Sequence, residues 1–173
     1  MTSVPEQVDF PNTYRCRSGE HWDWDGVQME ILHPPSGEIF QGNNASCVLK
    51  IRRNDYSALI TGDIESEAEQ DLILRQQRNL PAKLLIAPHH GSLTSSTPDF
   101  IDAVDARIVL FAVGYRNRFG FPKQAIISRY RQRGIRTLET DRSGALEVET
   151  SDTGMKITRY RERYRRFWHM PDW

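Results

Sequence analysis

The chain has 173 residues, enough for one domain with a proper core. Its 23 Lys and Arg match 23 Asp and Glu, so net charge is zero and selects no class of partner. No apolar run approaches the roughly 18 residues of a membrane-spanning helix, and Met1-Thr2-Ser3 does not open a signal peptide.

Residues 1–12 carry two prolines and little hydrophobic pattern, and read as a leader ahead of a domain at 13–173. Tyr14 to Cys16 predicts a short strand, and Ser18-Gly19 a turn. Trp22 to Asp25 alternate aromatic and acidic residues into an Asp25-Gly26 hairpin signal. Val27, Met29 and Ile31 then alternate as a half-buried strand stopped by His33-Pro34-Pro35. His33 reads as the end of that strand, and His21, beside Trp22, as a surface residue. Pro35 to Asn44 is loop, Ser46 to Ile51 a strand, and Arg52 to Asp55 a turn.

The centre of the chain carries the chemistry. Tyr56 to Thr61 is an apolar run short enough for a buried strand, ending at Gly62-Asp63. Ser66 with Glu69 matches a capping box and predicts a helix to about Gln77. Lys83 to Ala87 is a second apolar run, ending at Pro88-His89-His90-Gly91. A helical crossover makes the two strands parallel, so Asp63 and the histidines leave on one rim. Open α/β sheets bind ligands on that rim. A Gly-Asp after a strand is ordinarily a turn, and His-His-Gly ordinarily a loop. Together, and followed by the hydroxyls of Ser92, Thr94, Ser95, Ser96 and Thr97, they point to a site.

Thr97-Pro98 then opens a helix through Val104, and Arg107 to Val113 is a strand. Its end carries Gly114-Tyr115-Arg116-Asn117-Arg118-Phe119-Gly120 onto the same rim. Pro122 opens a helix to about Arg133, stopped by Gly134. Ile135 to Thr140, Ala145 to Thr150 and Met155 to Tyr160 are strands, the last two a hairpin around Ser151 to Gly154. From Ile157 the tail interleaves arginines with aromatics, a composition suited to phosphate contact and base stacking, or equally to a strand and helix with a solvated basic face. There is no internal repeat and no linker: the chain reads as one mixed α/β unit.

A divalent cation at an Asp/His rim polarises phosphate or carbonyl oxygen and lowers the pKa of bound water to around 7. Imidazole and carboxylate suit Zn²⁺ or Mn²⁺. Asp63 with one or two histidines falls short of the three protein ligands of a catalytic zinc. By composition the two cysteines, Cys16 and Cys47, are free thiols; their spacing excludes a zinc knuckle or Cys-x-x-Cys redox pair.

Thr61-Gly62-Asp63 with Pro88-His89-His90-Gly91-Ser92 resembles a metallo-β-lactamase-fold protein. The stretches Trp22 to Val27, Leu32-His33-Pro34, Asn43 to Leu49, Gly114 to Gly120, and Thr140-Asp141 through Gly144-Ala145 narrow the likeness. They resemble the C-terminal domain of the ComEC family of DNA-uptake channel proteins, over about residues 14–168. The resemblance implies an αββα sandwich lacking its N-terminal part, and a metal-dependent nuclease-like site. It implies Mn or Zn on Asp63 and His90, with His89 as the alternative histidine and Asn44 contributing an oxygen. It implies DNA, single-stranded or an incoming duplex, on Arg116, Asn117, Arg118, Ser92, Thr94 and Ser95. The remainder of the channel would be a partner, the parent lying in the inner membrane with this domain facing the periplasm. In that compartment Cys16 and Cys47 would be paired. Three departures stand out: no His-x-His-x-Asp-His run occurs, Phe121 stands where many relatives have histidine, and there is no spanning helix. The reading is a piece of a nuclease domain, inactive alone; the alternative is a non-catalytic DNA-guiding module. A lactonase- or thioesterase-like relative is more remote.

Overall fold

The computed structural model describes residues 14–151 and 154–164. The expected leader, the hairpin residues Asp152 and Thr153, and the end of the arginine-rich tail lie outside the described residues.

A seven-stranded sheet runs in sequence order: β1 (His21–Trp24), β2 (Val27–His33), β3 (Val48–Arg53), β4 (Tyr56–Ile60), β5 (Leu84–Ile86), β6 (Ile108–Phe111) and β7 (Arg136–Glu139). The first four form an antiparallel meander, and β4 to β7 are parallel. The change follows from connection length. Asp25-Gly26 turns β1 into β2 with both residues at positive φ (51° and 75°), the geometry of a tight hairpin. Each parallel pair instead needs a crossover helix: α1 (Ser66–Gln76), α2 (Pro98–Val104) and α3 (Gln124–Gln132).

All three helices pack on one face, where Leu32, Val48, Leu59, Leu85 and Val109 of the strands meet Leu72, Phe100, Ile101, Ile126 and Tyr130. The alternate residues Leu84, Leu110 and Leu138 face the other way, against a separate hairpin of β8 (Leu146–Ser151) and β9 (Gly154–Arg159). Strands β5 and β6 are thus covered on both faces, which is why they read as unbroken apolar runs. Single helical turns, α4 (Thr140–Ser143) and α5 (Tyr160–Arg163), flank that hairpin. The expected mixed α/β sheet with its helical layer is present.

Two local expectations fail. Ser66 caps nothing: the cap position is Glu65, with no side-chain cap bond, and Ser66 N–H donates to Thr94 O (2.9 Å). Glu69 does not reach back to the helix start; it is fully buried beside Ala68 and Leu72 and accepts from Ser96 N–H (2.5 Å) and Thr97 N–H (2.8 Å). The Ser-x-x-Glu pattern fits, but tertiary donors win the carboxylate. Tyr14–Cys16 is no strand either, only Arg15 forming an isolated bridge. That segment is fixed by a disulfide from Cys16 to Cys47, Cα atoms 6.1 Å apart, at the foot of β3. Thr97, by contrast, caps α2 as expected, accepting from Phe100 N–H.

On the helical face of β2 and β3 the core turns polar, pairing Glu30 with Lys50 and Gln28 with Arg52. Lys50 is 1 % exposed, its ammonium donating to Leu80 O (3.3 Å) and Pro81 O. Burial, with the nearby Arg52 charge, lowers its pKa to about 8. A base with a depressed folded-state pKa binds fewer protons than the unfolded chain between pH about 8 and 10.5, so its contribution to stability rises with pH across that window. The stability gap between wild type and Lys50→Met should therefore move in favour of wild type from pH 8 to 10.5. A gap that stays flat in denaturant titrations across that range contradicts the buried cation. Separately, Cys16→Ser should cost about 3–4 kcal/mol, the chain-entropy value for closing a loop of this length. Two titratable thiols in the oxidised native protein would remove the bridge altogether.

Candidate metal centre at the sheet rim

Beyond β4 the chain turns at Gly62 (φ +57°), where an added Cβ would lie 2.9 Å from Ser46 Cβ. Asp63 N–H donates to Ser46 Oγ (3.2 Å), and Thr61 Oγ1 donates to Ile86 O (2.8 Å), lashing the ends of β4 and β5 together. His89 N–H donates to Gly62 O (3.1 Å), bringing the histidine turn against the acidic one. His89 (φ +45°) and His90 (φ +55°) are both left-handed, a conformation costing roughly 1–3 kcal/mol per non-glycine residue that persists only where the surroundings impose it. Gly91 follows at +82°, and no other residue fits, since a Cβ would stand 2.7 Å from Pro122 Cβ and 2.8 Å from the Phe111 ring.

Two imidazole–carboxylate pairs result. His90 Nε2 lies 3.4 Å from Asp63 Oδ1, and His89 Nδ1 lies 3.1 Å from Glu65 Oε1. Asp63 and Glu65 reach the rim together because Ile64 between them is fully buried. The side chains of Asp63 and His90 are 42 % and 45 % exposed, open to an ion or a phosphate. Thr94 Oγ1 donates to Glu65 Oε1 (2.8 Å); this bond, then those from Asn43 and His89, hold the Glu65 carboxyl below its ordinary range. It is an anion beside His89. Ligand bonds of about 2.0–2.2 Å at tetrahedral to octahedral angles put two donors roughly 3.0–3.5 Å apart, and both pairs fit that spacing. Among the described residues no group of three or more His, Cys, Asp or Glu surrounds a single ion position.

The other expected site residues divide. Asn44 does not stand open to an ion: its Oδ1 accepts from Glu65 N–H (2.9 Å) and its Nδ2 donates to Glu67 (3.0 Å), so it scaffolds the acidic turn. His33 is more than a strand end. It is fully buried, Nε2 donating to Asn44 O (2.8 Å), and burial lowers its pKa. Ser92 and Ser95 are buried and cannot meet DNA; Ser95 Oγ donates to Pro88 O (2.9 Å), shaping the loop from inside. Asn117 is likewise turned into its own loop, bonded to Phe121 O and Phe121 N–H. Thr94, Arg116 and Arg118 remain exposed. Sequence reasoning missed Glu65, although Asp-x-Glu after a buried strand signals two carboxylates on one side. It also gave no role to Phe121, whose ring meets His89 edge-on at 5.7 Å.

No family model matches the chain. It is 35 % identical over 162 residues to competence protein ComA of Neisseria gonorrhoeae, covering 94 % of this chain and 23 % of that protein. It is 31 % identical over 121 residues to ComE operon protein 3 of Bacillus subtilis, covering 70 % of this chain and 16 % of that protein. The chain thus spans less than a quarter of the length of these relatives. Among solved structures, a variant of CmlA β-hydroxylase superposes with a TM-score of 0.52 at 13 % identity, over 75 % of this chain and 32 % of that one, a likeness of fold alone. A Thermotoga maritima protein described as a zinc-dependent hydrolase of the metallo-β-lactamase superfamily reaches 0.40 at 13 % identity, over 68 % and 57 %. Matched over 94 % and 70 % of its length by these two competence proteins, the chain belongs to the ComEC family of competence proteins.

Proposed function

We propose that this chain supplies the Asp63–His90 and Glu65–His89 side of the metal centre in a ComEC-type protein of natural transformation, whose domain hydrolyses phosphodiester bonds of the DNA strand that is not taken up. The observation that carries this is the meeting of two imidazole–carboxylate pairs, at 3.4 and 3.1 Å, on one rim. Bound there, Zn²⁺ or Mn²⁺ supplies Lewis acidity to a phosphate oxygen and acidifies a coordinated water. The protein's own part is to hold the donors. Asp63 and His90 offer one oxygen and one nitrogen, His89 and Glu65 a second such pair, and Thr94 and Asn43 keep Glu65 ionised. Arg116 and Arg118 lie exposed on the neighbouring loop as phosphate contacts. The partners are DNA and the rest of a channel in the bacterial inner membrane, and a periplasm-facing position suits the Cys16–Cys47 bridge. Among the described residues no helix is long and apolar enough to cross a membrane. A second reading, a DNA-guiding module without catalysis, draws support from the two-donor limit among those residues.

Mn²⁺ or Zn²⁺ titration by calorimetry tests the centre. Asp63→Ala and His90→Ala should each weaken binding by more than about tenfold, and Asn44→Ala, which loosens the acidic turn, should lose stability and weaken binding less than either. Unchanged affinity in Asp63→Ala sinks the rim as a metal centre. The chain by itself should not cleave DNA with either metal, since two protein donors leave an ion loosely held. Metal-dependent cleavage by the purified chain, abolished in Asp63→Ala, would overturn that expectation.

A further inference from the structure

The loop from Gly114 to Lys123 leaves β6 on the same rim and is braced from within. Asn117 Nδ2 donates to Phe121 O (2.7 Å) and Gly114 O (3.3 Å), its Oδ1 accepts from Phe121 N–H (2.9 Å), and Lys123 Nζ donates to Phe119 O (2.7 Å). With its interior so occupied, the loop turns its rings outward: Tyr115 is 64 % and Phe119 57 % exposed. Phe119 stacks on Phe121 (centroids 5.7 Å apart, planes at 19°), and Phe121 stands edge-on to His89. A short ladder of rings therefore leads from solvent to the histidine turn. Cations lie over each ring: Arg116 and Arg161 over Tyr115 (5.2 and 5.8 Å), Arg118 over Phe119 (4.8 Å) and Lys123 over Phe121 (5.2 Å).

Exposed aromatics scattered singly need no explanation. Four cation–ring contacts within 6 Å gather on the rings of this one short loop. Flat apolar faces alternating with cations match one ligand chemistry: unstacked bases on a phosphate backbone. A duplex keeps its base faces inside and has nothing to lay on Phe119. We infer that Tyr115 and Phe119, the latter backed by the half-buried ring of Phe121, form a base-stacking platform, that the DNA engaged at this rim is single-stranded, and that Phe119 is its selecting residue. The inference rests on the proposed function for its choice of DNA and adds the strandedness of the substrate and the residue that reads it.

The test uses the whole 173-residue chain in EDTA, by fluorescence anisotropy, with three probes: an oligothymidylate, an abasic oligomer of equal length and a duplex of equal length. The oligothymidylate should bind more tightly than either of the others. Phe119→Ala should weaken oligothymidylate binding about fivefold or more, leaving abasic binding and the salt slope unchanged. Arg118→Gln should weaken both single strands and lower the salt slope by about 0.7. Phe119→Leu, which keeps apolar bulk without a π face, should behave like Phe119→Ala and guards against any folding defect in it. Equal binding of thymidylate and abasic strands, or wild-type affinity in either Phe119 variant, overturns the platform. Because no metal is present in this buffer, failure of the platform is read here and failure of the metal centre in the metal titration, each independently of the other.

Discussion

Glu69 brings a carboxylate from α1 into the core and meets two backbone amides there, those of Ser96 and Thr97. Burial pushes its pKa up while the two amides pull it down, with burial the stronger. Hydrogen bonds to a charged group contribute about 1.5–3 kcal/mol each, and a buried carboxylate stripped of its donors costs several. The loop from Ser92 to Thr97 is therefore held to α1. Tyr130 of α3 donates to Ser96 Oγ (3.0 Å) and Arg129 to Ser96 O (3.0 Å), so two crossover helices grip the same residue. Ser96 itself is left-handed (φ +55°). The strained backbone of His89 and His90 sits on this anchored loop.

The acidic half of the rim is clamped from the other side. Asn44 accepts Glu65 N–H, Ser46 accepts Asp63 N–H, and Cys47, next in line, is bridged to Cys16. Buried His33 holds the carbonyl of Asn44 from beneath. For both acids the backbone N–H is held, and the Glu65 carboxylate is held as well, by Thr94 and Asn43. The Asp63 carboxylate thus stays available at the surface while its backbone is fixed. The rim is thereby preorganised, its imidazole and carboxylate atoms held 3.4 and 3.1 Å apart.

Much of this was legible because it follows from periodicity and turn chemistry. The parallel unit placing Asp63 beside the histidines needs only two apolar runs and a helix-length connection. Asp25-Gly26 and Thr97-Pro98 name their own geometry. What was not legible are competitions between partners distant in sequence. Glu69 matches a local capping box, and nothing in its neighbourhood reveals that amides 27 and 28 residues away will take it. Asn44, Ser92, Ser95 and Asn117 look like free polar groups in a string of letters. In three dimensions buried or turning backbone claims them first, because an unpaired buried polar group costs more than a surface contact returns. Glu65 was missed for the opposite reason: it lay beside the more conspicuous Asp63.

Phe121 touches both the histidine turn and the aromatic loop. Its ring lies 5.7 Å from that of His89. An imidazole there would stand beside the His89–Glu65 pair and bring it toward the three protein donors that a catalytic zinc requires. A phenyl ring adds no donor. It stacks on Phe119 and packs against His89, while its backbone N–H and carbonyl lock Asn117 in place. The ring thus ties the exposed aromatic loop to the histidine turn by contact alone. The two clamps stand apart from this ring: Glu69 holds Ser96 and Thr97, and Asn44 holds Glu65 and Glu67.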